Sequence, residues 1–241
     1  MRQEAYFCTV KELDELGKNN IPRQLISHTH LIYSSPATLA FNSPGAEGFG
    51  VKRAGLAVPD SVMLIVSPGC CGRNTSVLSS MRAYQDRFYY LLMDETDIVT
   101  GRHLKKIPKA VAEICEGLKK KPSVVMICIT CVDALLGTDM ERVCHKAEEY
   151  AGVPVRPCYM YALTREGRKP PMVHVRQSVY SLLEPKKKKG NVVNLLGYFS
   201  PLTDDCELYD LLHGAGVKTI HEISRCKDYA QYQTMSEANF N

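Results

Sequence analysis

The sequence predicts an α/β fold built from open, mostly parallel, Rossmann-like sheets with helices on both faces. Short apolar runs at 62–66 and 124–127 alternate with longer segments whose apolar residues recur at helical spacing. Alternation of strand and helix along a chain favours parallel sheets. At 241 residues, the chain is long enough for one large domain or two small ones.

The first part of the chain is expected to be irregular. Residues 1–30 form a polar arm with one short amphipathic helix that ends at Gly17, and residues 31–60 are rich in loop-forming residues. Strand and helix patterns then alternate. In chain order we predict a strand at 61–66, a helix at 75–86, a segment at 88–93 that fits either a helix end or a strand, a short strand at 97–99, a helix at 104–119 with Pro108 in its first turn, a strand at 123–129, a helix at 138–150, an edge strand at 153–158 and a helix at 172–184.

The pattern restarts after a run of four lysines at 186–189. Predicted there are a strand at 191–196, a helix at 202–213, a strand at 217–220 and a short helix at 226–233. The last residues, 239–241, carry no capping or closing signal, so we expect an incomplete second sheet and a truncated or partnered chain. The predicted organisation is an arm over 1–30, a first α/β domain over 31–185 that carries the cysteine loops, and a partial second domain over 186–241.

Composition excludes several classes of function. The net charge is only +4 and the lysine run lacks interleaved aromatic residues or arginines, so we read that run as a solvated linker and expect no nucleic-acid partner. No apolar stretch approaches the roughly 20 residues of a membrane span, and the first residues do not resemble a secretion signal. We therefore expect a cytoplasmic protein with no membrane partner. The sequence contains neither of the two common phosphate-binding glycine motifs, G-x-G-x-x-G and G-x-x-x-x-G-K-[ST].

Ten cysteines are many for a chain of this size. In a reducing compartment, clustered cysteines favour metal or redox chemistry over disulfides. Most of them are still expected to be structural, because free cysteine is among the most buried residue types. The six that we assign to this class are Cys8, Cys115, Cys144, Cys158, Cys206 and Cys226.

Two cysteine-bearing loops are the strongest functional signal. The first, at 67–75, contains Cys70 and Cys71, and the second, at 128–139, contains Cys131. Each follows a predicted strand, and ligands of open α/β sheets bind at the carboxyl ends of the strands. Thiolates there suit an iron–sulfur cluster, and amide groups of the following helices would stabilise them.

Other readings of these residues stay open. The alternative for Cys71 and Cys131 is a role as plain buried thiols, and Cys128 with Cys131 forms a C-x-x-C that suits a dithiol or half of a zinc site. His28 and His30 form a His-x-His pair that is either a metal site or an ordinary surface or core feature. Arg73 and Asn74 face either a substrate or solvent.

Three ordered sequence blocks resemble the nitrogenase component 1 family. The block Ser67-Pro-Gly-Cys-Cys-Gly72 resembles its glycine–cysteine–glycine cluster loop, and Glu95-Thr-Asp-Ile-Val-Thr-Gly101 resembles its Glu-x-Asp-Ile-Val-x-Gly block. Cys131 followed by Leu136-Gly-Thr-Asp139 resembles the second cluster loop. A weaker match lies at 200–205, and the resemblance covers about residues 28–241.

The resemblance implies an iron–sulfur site at a subunit interface. Cys71 and Cys131 would be the iron ligands, with Gly72 beside the cluster and Cys70 as a possible further ligand. A dimer with a second copy or a paralogous subunit doubles the two cysteines to the four that one [4Fe–4S] cluster requires. Electrons would come from an ATP-dependent iron–sulfur reductase, for a substrate such as a tetrapyrrole, a thioether-type compound or a cofactor precursor.

The departures from the family pattern leave the function open. Leu39 stands where the family carries a further cysteine, and the later histidine and cysteine that hold the nitrogenase cofactor have no counterpart. The expected function is thus an oxidoreductase component that does not reduce dinitrogen. The alternatives are a non-catalytic scaffold for cluster or cofactor assembly, which the short length favours, and a cluster-free relative.

Overall fold

Two parallel sheets organise the later part of the chain in the computed structural model, which describes residues 8–17, 19–20, 22, 51–69, 84–160, 171–197, 199 and 201–240. The chain divides into two units, Met1–Glu47 and Gly48–Asn241. In the first unit, helix α1 (Val10–Leu16) begins at a capping box between Thr9 and Glu12. The elements of the second unit are β1 (Val62–Ser67), β2 (Phe88–Leu92), α2 (Glu95–Thr100), α3 (His103–Gly117), β3 (Val125–Ile129), α4 (Cys131–Leu135), α5 (Met140–Ala151), β4 (Val155–Tyr159), α6 (Pro171–Tyr180), β5 (Lys189–Asn194), α7 (Glu207–Gly214), β6 (Thr219–His221), α8 (Tyr229–Thr234) and β7 (Ala238–Phe240).

The first sheet has the strand order β2-β1-β3-β4, with every neighbouring pair parallel. Its two central strands are buried along their whole length, as expected for a parallel sheet that is covered on both faces. Strand β4 lies at an edge and contains Pro157, whose missing N–H is tolerated there. The edge strand predicted at 153–158 is therefore confirmed.

Alternation along the strands divides the core into two clusters. Leu64 and its same-face neighbours pack with Ile107 and Val111 of α3 and with Met140 of α5. On the opposite face, Met63 packs with residues of α6 and of a helical segment at 51–55. Helices thus cover both faces, and the predicted fold class is confirmed.

The second sheet has the order β6-β5-β7, again with parallel neighbours. It is joined to the first core through α8, because Tyr232 is fully buried in the cluster that contains α6 residues. Gln233 strengthens this contact: its Nε2 donates to Leu182 O at 2.7 Å and its Oε1 accepts from Glu184 N at 2.9 Å. The division into three domains stays a prediction.

Several predicted elements differ from the structure. Residues 97–99 belong to helix α2 and are not a strand, because Asp94 and Asp97 form a capping box that starts a helix there. Pro108 lies in the second turn of α3, where its ring is buried. The ambiguous segment at 88–93 is a strand, and part of the predicted loop region, 51–55, is helical.

The end of the chain also differs. Residues Ala238–Phe240 form a strand that pairs with β5, so a pairing element is present where none was predicted. Helix α7 starts at Glu207 and not at 202, because the preceding segment is held in a loop: Glu222 Oε2 accepts from Leu202 N and Arg225 donates to Leu202 O. The helix predicted at 75–86 lies largely outside the described residues. No helix in the described ranges is long and apolar enough to span a bilayer.

Candidate functional site

The carboxyl edge of the first sheet is where the two cysteine loops leave the core. Strands β1 and β3 are direct neighbours, with Val66 paired to Ile129. Ser67 and Thr130 are therefore next to each other, and both are buried. Since the chain continues from these two positions into the two loops, both loops start side by side at one edge of the sheet.

The predicted ligands lie only partly within the described residues. Cys70, Cys71 and Gly72 lie outside the described residues, as do Leu39, the His28–His30 pair, Arg73 and Asn74. Of Cys131 the backbone is described, and it forms the first residue of α4, directly after the carboxyl end of β3. The ligand roles of these cysteines therefore stay predictions.

Two buried hydroxyl groups lie at the start of these loops. Ser67 Oγ and Thr130 Oγ1 have no hydrogen-bond partner within the described ranges. A buried hydroxyl without a partner carries a desolvation cost, so a group that accepts hydrogen bonds would fit beside them. Thiolate and sulfide sulfur accept such bonds, and hydrogen bonds to sulfur tune iron–sulfur clusters. The donor set at this edge thus fits a thiolate-bound cluster.

The second loop contains a helix that the sequence pattern did not predict. Helix α4 has only five residues, and a separate helix, α5, begins after Asp139, whose Oδ1 accepts from Arg142 N at 3.1 Å. Asp139 is thus the N-cap of α5. The helix predicted at 138–150 is α5, and the single-turn helix α4 precedes it and begins at Cys131.

A buried histidine–aspartate pair fixes this short helix, and sequence reasoning missed it. His103 Nε2 lies 2.9 Å from Asp133 Oδ1, with side chains that are 1% and 0% exposed. His103 Nδ1 lies 3.0 Å from the carbonyl oxygen of Asp97, and Thr138 Oγ1 donates to the same Asp133 oxygen at 3.2 Å. The sequence did carry a signal for the burial of His103, because this residue continues the apolar i, i+4 row of Ile107 and Val111 on α3.

Asp97 continues this network to the surface. Its carboxylate accepts hydrogen bonds from Lys106 Nζ at 2.7 Å and from Arg102 Nε at 3.2 Å. The Lys106 ammonium, helped by the Asp94 amide, holds the pKa of the Asp97 carboxyl below its ordinary value. The sequence block at 95–101 is therefore bonded through His103 to the block that begins at Cys131.

The C-x-x-C reading does not agree with the structure. Cys128 is fully buried in β3 and is paired in register with Cys158 of β4, which is also fully buried. Burial raises the pKa of the Cys158 thiol well above its ordinary value. A reactive dithiol or a metal site needs accessible thiolates, so Cys128 is a core residue. The described part of the chain contains no group of three or more histidine, cysteine or carboxylate side chains arranged to hold a metal ion.

The remaining cysteines that were predicted to be structural are free thiols. Cys144 and Cys158 are buried, while Cys8, Cys115, Cys206 and Cys226 are partly exposed. Burial raises the pKa of the Cys226 thiol to about 11 and also raises the pKa of the Cys144 thiol. Both thiols therefore stay protonated at neutral pH.

Comparison with known families decides the assignment. The model of the nitrogenase component 1 type oxidoreductases matches residues 47–241. The chain belongs to this family. The matched region contains both cysteine loops, both sheets and the His103–Asp133 pair.

Curated relatives of this nitrogenase component 1 type chain include nitrogenase iron-molybdenum cofactor biosynthesis proteins NifE. The protein from Rhizobium meliloti is 28% identical over 176 residues, which are 70% of this chain and 37% of the relative. The protein from Klebsiella pneumoniae is 26% identical over 219 residues, which are 82% of this chain and 48% of the relative. The chain thus spans less than half the length of these relatives.

Solved structures support the fold. A structure described as nitrogenase Cp1 at pH 6.5 aligns with a TM-score of 0.55 and 20% identity, covering 78% of this chain and 39% of that one. A second structure, nitrogenase Cp1 at pH 5, aligns with a TM-score of 0.54. At this identity the likeness concerns the fold.

Proposed function

We propose that this chain is an iron–sulfur scaffold that takes part in assembling a nitrogenase-type cofactor. The observation that carries the proposal is the departure of the two cysteine loops from adjacent, parallel strands at one edge of the first sheet. The curated relatives add support, because they are cofactor biosynthesis proteins. This ranks the scaffold function above the electron-transfer function expected from the sequence.

In this proposal Cys71 and Cys131 bind iron, and Cys70 is a further candidate ligand. Two thiolates from one chain do not fill the four positions of a [4Fe–4S] cluster, so a second copy or a paralogous subunit supplies the rest. When bound, the cluster supplies a site that stores and passes single electrons. Gly72 provides room for the backbone to approach it.

The other residues at this edge prepare the site. The hydroxyl groups of Ser67 and Thr130 donate hydrogen bonds to thiolate or sulfide sulfur, which satisfies two buried donors. The buried strands β1 and β3 form a rigid, apolar base that keeps water from the inner side of the site. Rigid strands hold ligands more precisely than loops do.

A second candidate function is the electron-accepting component of a nitrogenase-like reductase. The family description as an oxidoreductase favours it, and so does the lack of a nucleotide motif in the sequence, since an ATP-dependent iron–sulfur reductase would then drive the transfer. The substrate would be a tetrapyrrole, a thioether-type compound or a cofactor precursor. The third reading, a cluster-free relative, is supported by Leu39.

Anaerobic purification with iron and sulfide assays tests the cluster. We expect about four irons per dimer and a paramagnetic signal after reduction with dithionite. Cys71→Ala and Cys131→Ala should each lose this iron. The matched control is Cys206→Ala, because Cys206 is partly exposed and makes no side-chain cap bond at the start of α7.

Iron that is lacking in the wild-type chain, or retained in both variants, would disprove the cluster assignment. To separate the two functions, the loaded chain is mixed with an apo-ferredoxin in the absence of a reductase. Transfer of iron and sulfide to the ferredoxin supports the scaffold. No transfer, together with ATP-dependent oxidation of the chain's reductase partner, supports the electron-transfer component.

A further inference from the structure

We infer that His103 and Asp133 are positioning residues for the second cysteine loop, and that their hydrogen bonds orient Cys131 for binding iron. The inference rests on the proposed function as far as the ligand role of Cys131 is concerned. The geometric part, an orientation of the α4 backbone by a buried pair, stands independently of whether a cluster binds.

The protons of the pair follow from its partners. The carbonyl oxygen of Asp97 only accepts hydrogen bonds, so His103 Nδ1 carries a hydrogen. His103 Nε2 and Asp133 Oδ1 then share one further proton between them. Whether this proton is bonded to the His103 nitrogen or to the Asp133 oxygen, a strong hydrogen bond connects α3 with α4 in a site from which water is excluded.

Helix α4 is oriented by this bond together with Val132, which packs against the apolar cluster of α3 and β3. A five-residue helix is too short to be stable by itself. At its far end Leu135 is 73% exposed, so that end packs little. Within the described ranges, the side-chain hydrogen bonds of α4 are those that Asp133 makes with His103 and Thr138.

Fixing Asp133 also fixes the helix position of Cys131. Residues two apart differ by about 200° around a helix axis, so position 131 lies on the face nearly opposite to position 133. With Asp133 held against α3, rotation of the helix is restricted, and position 131 stays beside the end of β3. Thr138 extends the restraint to the turn that leads into α5.

The arrangement corresponds to the outer layer of a metal site. Residues that orient metal ligands without touching the metal are known to change affinity by about 10–100-fold when they are replaced. The His103–Asp133 pair meets this description. Asp133 lies two residues from the candidate ligand Cys131, and His103 connects Asp133 with the block at 95–101. Its carboxylate acts through the backbone of α4 and does not itself need to contact iron.

Two variants separate orientation from folding. The double variant His103→Phe/Asp133→Leu replaces the buried pair with apolar side chains of similar size, an exchange that commonly preserves stability. Asp133→Asn is the conservative variant, since its amide can donate to a neutral His103 and so retain the link. Circular dichroism and the unfolding midpoint of each full chain report whether it is folded.

The first readout needs no cluster. The rate at which iodoacetamide alkylates Cys131 in the metal-free chain is followed by mass spectrometry of the peptide that contains it. We expect the alkylation rate of the double variant to differ from that of the wild type by about fivefold or more, which is the size of an ordinary coupling between two sites. The rate of Asp133→Asn should stay close to that of the wild type. Equal rates in the wild type and in a folded double variant would overturn the inference.

The second readout concerns bound iron. After anaerobic reconstitution, the double variant should lose iron to a chelator about 10–100-fold faster than wild type and should show a shifted signal in electron paramagnetic resonance. The inference would be overturned if the double variant lost iron at the wild-type rate and showed the wild-type paramagnetic resonance spectrum. A wild-type chain that takes up no iron would disprove the proposed function, and the alkylation rate would then decide the positioning role alone.

Discussion

The substitution Asp133→Ala is expected to destabilise the chain more than any exposed change near the same loop. It removes a fully buried carboxylate that lies 2.9 Å from His103 Nε2 and accepts from Thr138 Oγ1 at 3.2 Å. Breaking one partner of a buried pair costs about 3–5 kcal/mol when the other stays charged. His103 keeps its bond to the Asp97 carbonyl, while its other ring nitrogen loses its partner at a cost of about 1–3 kcal/mol. We therefore expect a loss of about 2–4 kcal/mol.

Urea unfolding followed by circular dichroism at pH 7 measures this loss. With a slope of about 2–3 kcal/mol per molar urea, the midpoint should fall by about 1 M. Asp204→Ala is the control, because Asp204 pairs with Arg225 in an exposed ion pair whose contribution is small. A loss of less than about 1 kcal/mol for Asp133→Ala, or a loss equal to that of the control, would refute the reasoning that the buried pair holds α4.

Three further outcomes follow from the contacts of the first sheet. Gly55→Ala should lower the unfolding free energy by about 1–3 kcal/mol, since a Cβ there would lie 2.8 Å from Cys158 Sγ; an unchanged urea midpoint would contradict this close approach. Arg87→Lys should cost about 2 kcal/mol, because the half-buried guanidinium makes four hydrogen bonds, three of them to backbone carbonyls, that one ammonium cannot replace. The urea midpoint measures this loss, and an unchanged midpoint would argue against these bonds. The pKa of Asp97 is lowered in the folded chain, mainly by Lys106, so its stabilising effect is present above the unfolded pKa of about 4 and is lost as the pH falls through the lower folded value. Lys106→Gln should thus be less stable than wild type at pH 7, with a difference that narrows between pH 5 and pH 3 in the same assay; a difference independent of pH would count against the ion pair.

Much of the fold followed from hydrophobic patterning. Buried parallel strands have nearly continuous apolar runs, so β1 and β3 were predictable within two residues. Asp139 was predictable as a cap because an aspartate before a helical pattern supplies the missing acceptor. The short strand predicted at 97–99 was wrong because Asp94 and Asp97 satisfy the first amides of a helix, and this local capping outweighs the β-branched residues Ile98 and Val99.

The candidate site was predictable in its location. Loops that carry Cys71 and Cys131 follow two strand patterns, and parallel strands bring their carboxyl ends to the same edge. That these two strands are direct neighbours was not evident, since the strand order is set by how β2 and β4 pair on either side.

The sequence alone determined the α/β class, the parallel sheets and the place of the cysteine loops at strand ends, because these depend on periodicity and on chemistry within a few residues. The tertiary structure decided which side chains meet across longer separations. His103 and Asp133 are 30 residues apart, and they meet because α3 packs in the same apolar cluster as β3, the strand that leads into α4. Packing on the opposite face of the sheet turned Cys128 into a core thiol, since it lies with Cys158 in the cluster that α6 covers. Contacts of this kind depend on the arrangement of whole elements, which no local pattern encodes.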